Sequence, residues 1–456
     1  MRERMERALK KSRAEYTEIR IEETVISGLN FRDEELDSIG SSSSTGGIVR
    51  ALVKGGWGVA TFNDLSDLEG KVAEAAEAAR WVGKEQTQWA EVEPVVDTVT
   101  VDLKEDFREV PLAEKKAVVE AYNRIILSHH EKIQTTNVGY HDVFRRVRFA
   151  NSEGAYISEE RPDLGVGLSA IARDGDNVQR ARESVAGTTG GFSLVRGIEE
   201  KASAAAKRAV DLLSAPPVQG GTYTVVLDPN LAGVFAHEAF GHLSEADFVY
   251  ENERMKELMV LGKRFGPERL NILDDGSIPG LRGTHQYDDE GTKTRRNYLI
   301  KEGILVGRLH SRETAAKMGE PPTGNARALG YQHEPIVRMT NTYIDGGDAT
   351  FEEMIRDIKL GVYALDMIGG QTAMEMFTFS AGYGYMIRDG RIAELVRDVV
   401  LTGNVFETLK HIDMIEQEVV WSKSGGGCGK GGQNGLPVGL GSPHIRIRDV
   451  TIGGGQ

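Results

Sequence analysis

Cysteine is almost missing from this chain. Cys428 is the only one in 456 residues, so no disulfide can form within the chain and a disulfide-stapled secreted fold is excluded. A single thiol fits a reducing compartment and predicts a cytoplasmic protein. Long apolar runs are also missing. No stretch is apolar enough to span a bilayer as a helix, so no membrane partner is expected. The first residues, Met1 to Arg7, are charged and carry no apolar stretch, so no secretory signal is expected. An excess of positive charge is lacking as well. The formal net charge is −14, and such a surface repels phosphate backbones. The basic clusters Arg145–Arg148 and Lys293–Arg296 are short. No nucleic-acid partner is expected.

Apolar residues make up 40% and charged residues 27%, the balance of a globular chain. Its length calls for more than one core. Helix composition marks residues 1–14, Leu65 to Trp81, Pro111 to Leu127 and Ile198 to Leu213. Alternation marks strands from Tyr16 onward and short strands from Lys132 to Ala172, while Ser41 to Gly47 reads as a turn. Ala215-Pro216-Pro217 with Gly220-Gly221 forms a boundary. Beyond it glycine becomes frequent and helices few. Asp389-Gly390 between two apolar runs signals a hairpin. The expected fold class is α+β: a mixed N-terminal α/β domain over residues 1–215, then a β-rich domain over residues 220–456 that carries the chemistry.

The most informative stretch is Phe235-Ala236-His237-Glu238-Ala239-Phe240-Gly241-His242. Zinc peptidases place two histidines four residues apart on one helix face, with the general-base glutamate beside the first. Here the second histidine is one residue later. On a regular helix that turns the two rings about 140° apart, so they could not share an ion. Either a π-turn restores a common face, or the helix ends near Gly241 and His242 swings round. Glu238 is the candidate general base. Cys428, flanked by Gly425–Gly427 and Gly429, is the candidate third ligand: thiolate suits zinc, and glycine lets backbone approach closely. Gly429-Lys430 fails the phosphate-loop pattern, because Gly431 stands where Ser or Thr is required. Asn325 reads as a turn residue and His333 as a loop residue. Arg327 and Tyr383, like Asn325 and His333, could stabilise an oxyanion or hold substrate but read more simply as structural; Asp288-Asp289-Glu290 could bind calcium or magnesium but lacks the loop pattern and reads as a solvated acidic turn.

Several blocks together resemble the TldD side of the TldD/PmbA family of metallopeptidases. They are Leu227-Asp228-Pro229 running into His237–His242 and on to Leu243–Asp247, then Asp288–Thr292, Pro322–Arg327, Arg338–Tyr343 and Gly427–Gly439. Their order and spacing cover most of residues 220–456. The resemblance implies Zn2+ held by His237, His242 and Cys428, with Glu238 as catalytic base. It implies peptides or unfolded segments as substrates, held extended in an enclosed cleft. It also implies a dimer, either with itself or with a homologous metal-free subunit. The alternative is a non-catalytic metal-binding regulatory protein, for example a modulator of DNA gyrase.

Overall fold

A computed structural model of the chain describes residues 1–83, 87–423 and 426–453. Ser424 and Gly425 of the glycine-rich segment, and residues 454–456 of the expected second domain, lie outside the described residues. The fold is α+β, with a mixed N-terminal half and a strand-rich C-terminal half.

The N-terminal half is built on a seven-stranded sheet. Its strands are β1 (Tyr16–Arg32), β2 (Glu35–Val53), β3 (Gly56–Phe62), β4 (Val96–Val99), β5 (Ile133–Asn151), β6 (Tyr156–Asp174) and β7 (Asn177–Gly187). The helices are α1 (Arg2–Leu9), α2 (Leu68–Val82), α3 (Leu112–Leu127) and α4 (Glu199–Ser214). Leu29, Val138, Tyr140, Val166 and Leu168 share one core with α3 and α4, as alternation on a one-sided sheet requires.

Two local expectations are corrected here. Ser41 to Gly47 is not a turn but the middle of β2, paired residue by residue with Ser27 back to Ile21 of β1. Strand pairing is a backbone property, and serine is tolerated where that stretch of β2 faces water. The stretch from Lys132 to Ala172 is not a series of short strands but the two 19-residue strands β5 and β6. Their charged residues are paired, within the sheet as in Arg146 with Glu160 and Arg148 with Glu23, and across to the other half as in Arg161 with Asp289.

In the C-terminal half five strands close on themselves. β8 (Gly221–Leu227) pairs with Leu360–Ala373 and with Ile445–Gly453. Ile445–Gly453 pairs with Val400–Asn404, which pairs with Met376–Arg388, which returns to Leu360–Ala373. Closure leaves no free edge in that ring. The Asp389-Gly390 hairpin joins Met376–Arg388 to Arg391–Val396. Directly after β8 comes α5 (Pro229–Ala236), capped by Asp228, whose carboxylate accepts the Leu231 N–H at 2.9 Å. Phe235 of α5 packs edge-on against Phe377 and Phe379 of the ring. That contact sets the azimuth of the motif helix.

The two halves meet in a seam of buried charge. Asp288, Asp289 and Glu290 are each 3% exposed or less, so the solvated acidic turn expected from sequence is overturned. Asp289 pairs with Arg161 at 2.8 Å and faces Arg20 at 3.8 Å, and Glu290 pairs with Arg50 at 3.1 Å. Asp288 accepts the backbone N–H groups of Glu290, Thr292 and Ala326. Burial raises the Asp289 carboxyl, but the Arg161 and Arg20 guanidiniums overcome it and hold the pKa well below the usual range. Asp289→Ala leaves these buried guanidiniums short of counter-charge and should destabilise the protein by about 3 kcal/mol. Urea unfolding measures it, and an unchanged midpoint would show that the seam does not hold the halves together.

Candidate metal centre

The extra residue between the histidines is absorbed as a π-turn over His237–Gly241. The His242 N–H bonds the His237 carbonyl, five residues back. The His237 and His242 rings come to 5.1 Å between centroids. Of the two geometries open at the sequence level, the helix therefore takes the first. Gly241 gives room there: a Cβ would meet the buried Met339 sulfur at 2.0 Å, so a larger residue would have to push that side chain aside.

Cys428 arrives from the other end of the chain. It sits in the short strand Gly427–Lys430, paired with Gln433–Pro437 through a turn where Gly431 and Gly432 take φ of 57° and 77°, values that favour glycine. Two buried arginines fix this hairpin. Arg338 donates to the Cys428 carbonyl at 2.7 Å and the Gln433 carbonyl at 3.2 Å, and Arg327 donates to the Pro437 carbonyl at 2.8 Å. The Cys428 thiol is buried and lies 3.4 Å from His242 Nε2.

One ligand atom from each of His237, His242 and Cys428 lies within 4.8 Å of the others. The donor set fits zinc. Ligands bound at about 2.0–2.3 Å in a tetrahedron sit roughly 3.3–3.7 Å apart, which is the spacing of Cys428 Sγ and His242 Nε2. The His237 ring also hydrogen-bonds the Cys428 thiol, while its Nδ1 is buried without a hydrogen-bond partner. Burial pushes the Cys428 thiol up, but hydrogen bonds from His237 and His242 outweigh it and bring the pKa down to about 5. Burial lowers His242, and its bonds to Cys428 and Glu245 more than reverse this, to about 10. Metal capture must therefore displace the His242 proton, so affinity weakens as pH falls.

Behind His242 stands a carboxylate to which the sequence pattern assigns no role. Glu245, 1% exposed, accepts from His242 Nδ1 at 3.0 Å and pairs with Lys430 Nζ at 3.1 Å. Lys430 also donates to Asp247 and to the Val337 carbonyl. This chain of bonds holds a proton on Nδ1, so the proton that metal must displace is the one on Nε2, which faces Cys428. Glu245, three residues past His242, is visible in the sequence only as part of the motif stretch. Glu245→Gln should weaken zinc binding roughly 10- to 100-fold, read by competition with a chelating dye. Unchanged affinity would remove Glu245 from the site.

Glu238 lies on the π-turn beside His237, partly open to solvent, its carboxylate 4.0 Å from His242 Nε2. Asn325 is not a turn residue. It is 1% exposed and donates to Asp274 and the Arg338 carbonyl, bracing the arginine that holds Cys428. The His333 carbonyl accepts from Arg20. Tyr383 stacks under the Arg208 guanidinium at 4.3 Å.

Models of three successive family domains match the chain. The PmbA/TldA metallopeptidase domain 1 matches residues 17–80, the central domain 105–213 and the C-terminal domain 220–454. The chain belongs to the PmbA/TldD metallopeptidase family. Within it, the chain stands on the TldD side, which bears the metal motif. A metalloprotease of Synechocystis sp. is 47% identical over 97% of this chain and 96% of its own length. A zinc metalloprotease TldD homolog of Saccharolobus solfataricus is 34% identical over 71% of this chain and 72% of its own. The structure of TldE from Thermococcus kodakarensis superposes with a TM-score of 0.80 over 100% of both chains at 16% identity, a likeness of fold. No helix among the described residues is long and apolar enough to cross a membrane.

Proposed function

We propose that this chain is a zinc metallopeptidase that hydrolyses peptides or unfolded protein segments. His237, His242 and Cys428 hold the ion and Glu238 acts as general base. The observation that carries the reading is the convergence of two imidazole nitrogens and one thiolate within 4.8 Å, with a carboxylate beside them. Three protein ligands leave a fourth position open, whereas a structural zinc is closed by four. That contrast favours catalysis over a non-catalytic regulatory role.

When bound, zinc supplies Lewis acidity, polarising a carbonyl and making the water it holds acidic near neutral pH. The chain's own groups do the rest. Glu238 takes the proton of the attacking water and returns it to the leaving amine. Glu245 and Lys430 hold His242 in its working tautomer. Arg338 and Arg327 hold the Cys428 hairpin in place. A dimer, with itself or with a homologous metal-free subunit, and a cytoplasmic location belong to the same proposal.

Digestion of unstructured peptides by protein stripped with chelator and then reloaded with zinc tests the reading. Cleavage should vanish and return with the metal. Cleavage that persists without metal, or absence of cleavage at full zinc occupancy, would overturn it. Light scattering of the active sample reports the oligomer.

A further inference from the structure

A cavity of about 1180 Å³ lies between the two halves. It does not contain the metal ligands, but it borders the segments that carry them. Val234, three residues before His237, and Gly426, two before Cys428, both line it. Its floor is the face of the N-terminal sheet turned away from α3 and α4. Register places Asn30, Gly139, Gly167 and Ser184 in one row across β1, β5, β6 and β7. Asn137, Ser169 and Arg182 form the next row. Most of this face carries small side chains, and a Cβ on Gly167 would meet nothing within 4 Å.

The charged groups of the cavity divide into two sets. Arg208 pairs with Glu183 at 3.0 Å and Asp366 at 3.3 Å, and Lys201 pairs with Glu183 at 3.0 Å. These are neutralised. Arg180 and Arg182, two residues apart on β7, share the cavity-facing side of the strand. Arg180 donates to the Ser169 hydroxyl at 3.0 Å, and among the described residues neither arginine forms an ion pair. Burial and then the neighbouring Arg182 charge lower the Arg180 pKa. Lys423, on the approach to the Cys428 strand, lines the same cavity and is likewise without an ion pair among the described residues. In a chain of net charge −14, cations without ion-pair partners gathered in one cavity raise the local concentration of anions there.

We propose that Arg180 and Arg182 bind a carboxylate of the substrate, so that the cavity selects peptides carrying an acidic side chain or a free C-terminus. The planar guanidinium fork matches a carboxylate in two-point contact. The inference rests on the peptidase reading for its substrate class, but the carboxylate site itself does not need cleavage to be seen.

The test uses fluorescein-labelled peptides of one length that differ only in a central Glu or Gln and in a free or amidated C-terminus. Binding is read by anisotropy on the full-length, zinc-loaded Glu238→Gln protein, and cleavage on wild type. Charge-assisted contacts in a partly open site should give a preference of roughly tenfold for the carboxylate-bearing peptide. Added salt should erode it. The Glu/Gln pair and the free/amidated pair show which carboxylate is read. Arg180→Gln/Arg182→Gln should abolish the preference. Arg182→Glu should turn it toward a peptide with a central Lys, which a merely misfolded variant would not do. Selective binding with no cleavage sinks the peptidase reading and leaves the site standing. Equal binding and equal cleavage of all peptides by wild type overturns the site and leaves the peptidase reading intact.

Discussion

Glu238→Gln should lower kcat by roughly 10²–10⁴-fold, the range for loss of a positioned acid or base, while zinc content and melting temperature stay near wild type. The substitution keeps volume and shape and removes only the proton acceptor. Glu238 is not among the three groups that converge on the site, so ligation should survive. Its side chain is partly open to solvent, so folding does not depend on it. KM should change much less than kcat, because the proton moves mainly in the transition state. A carboxylate that merely paired with His242 would behave differently. Its loss would leave most of the activity, or remove zinc and activity together. Zinc stoichiometry and kcat measured on one preparation separate these outcomes. Retained activity at full occupancy would remove Glu238 from the mechanism.

Cys428→Ser and His242→Ala should each lower zinc affinity by more than about 100-fold, since removing a direct ligand exceeds the 10- to 100-fold cost of losing an outer partner. Cys428 is the more telling of the two. Serine is close in size, so the hairpin held by Arg338 and Arg327 should still form. What is lost is a thiolate whose pKa the two histidines bring down to about 5, and a hydroxyl cannot match it at neutral pH. His242→Ala removes the second ring and leaves Glu245 facing Lys430 alone, so the variant should remain folded while losing metal. Metal analysis after dialysis against a weak chelator reads both. Full zinc occupancy in both variants would refute the ligand set.

The histidine spacing is informative on its own, because helix geometry is local. Five residues cannot bring two rings to one face of an α-helix, so a distortion is required, and the π-turn supplies it. The strands on either side of Asp389-Gly390 and the long helices are legible for the same reason: their patterns depend on near neighbours. The misreadings share one cause. Asp289 and Glu290 read as part of a solvated turn because their partners Arg20, Arg50 and Arg161 lie more than a hundred residues away in sequence. Ser41 to Gly47 reads as a turn because its strand character comes from pairing with β1, not from its own side chains.

The sequence by itself determined the chemistry available: two histidines and a glutamate on one short helix, one thiol in a glycine-rich segment, and no second cysteine to compete with it. Those are properties of residue type and local spacing. Only the tertiary structure decided that Cys428 meets His242 across 186 positions of chain, that Glu245 and Lys430 lock the imidazole from behind, and that Arg180 and Arg182 face a cavity without an ion-pair partner among the described residues. Such meetings follow from which distant strands pair and which faces are buried against one another. That outcome minimises the free energy of the whole chain and is written in no single segment of it.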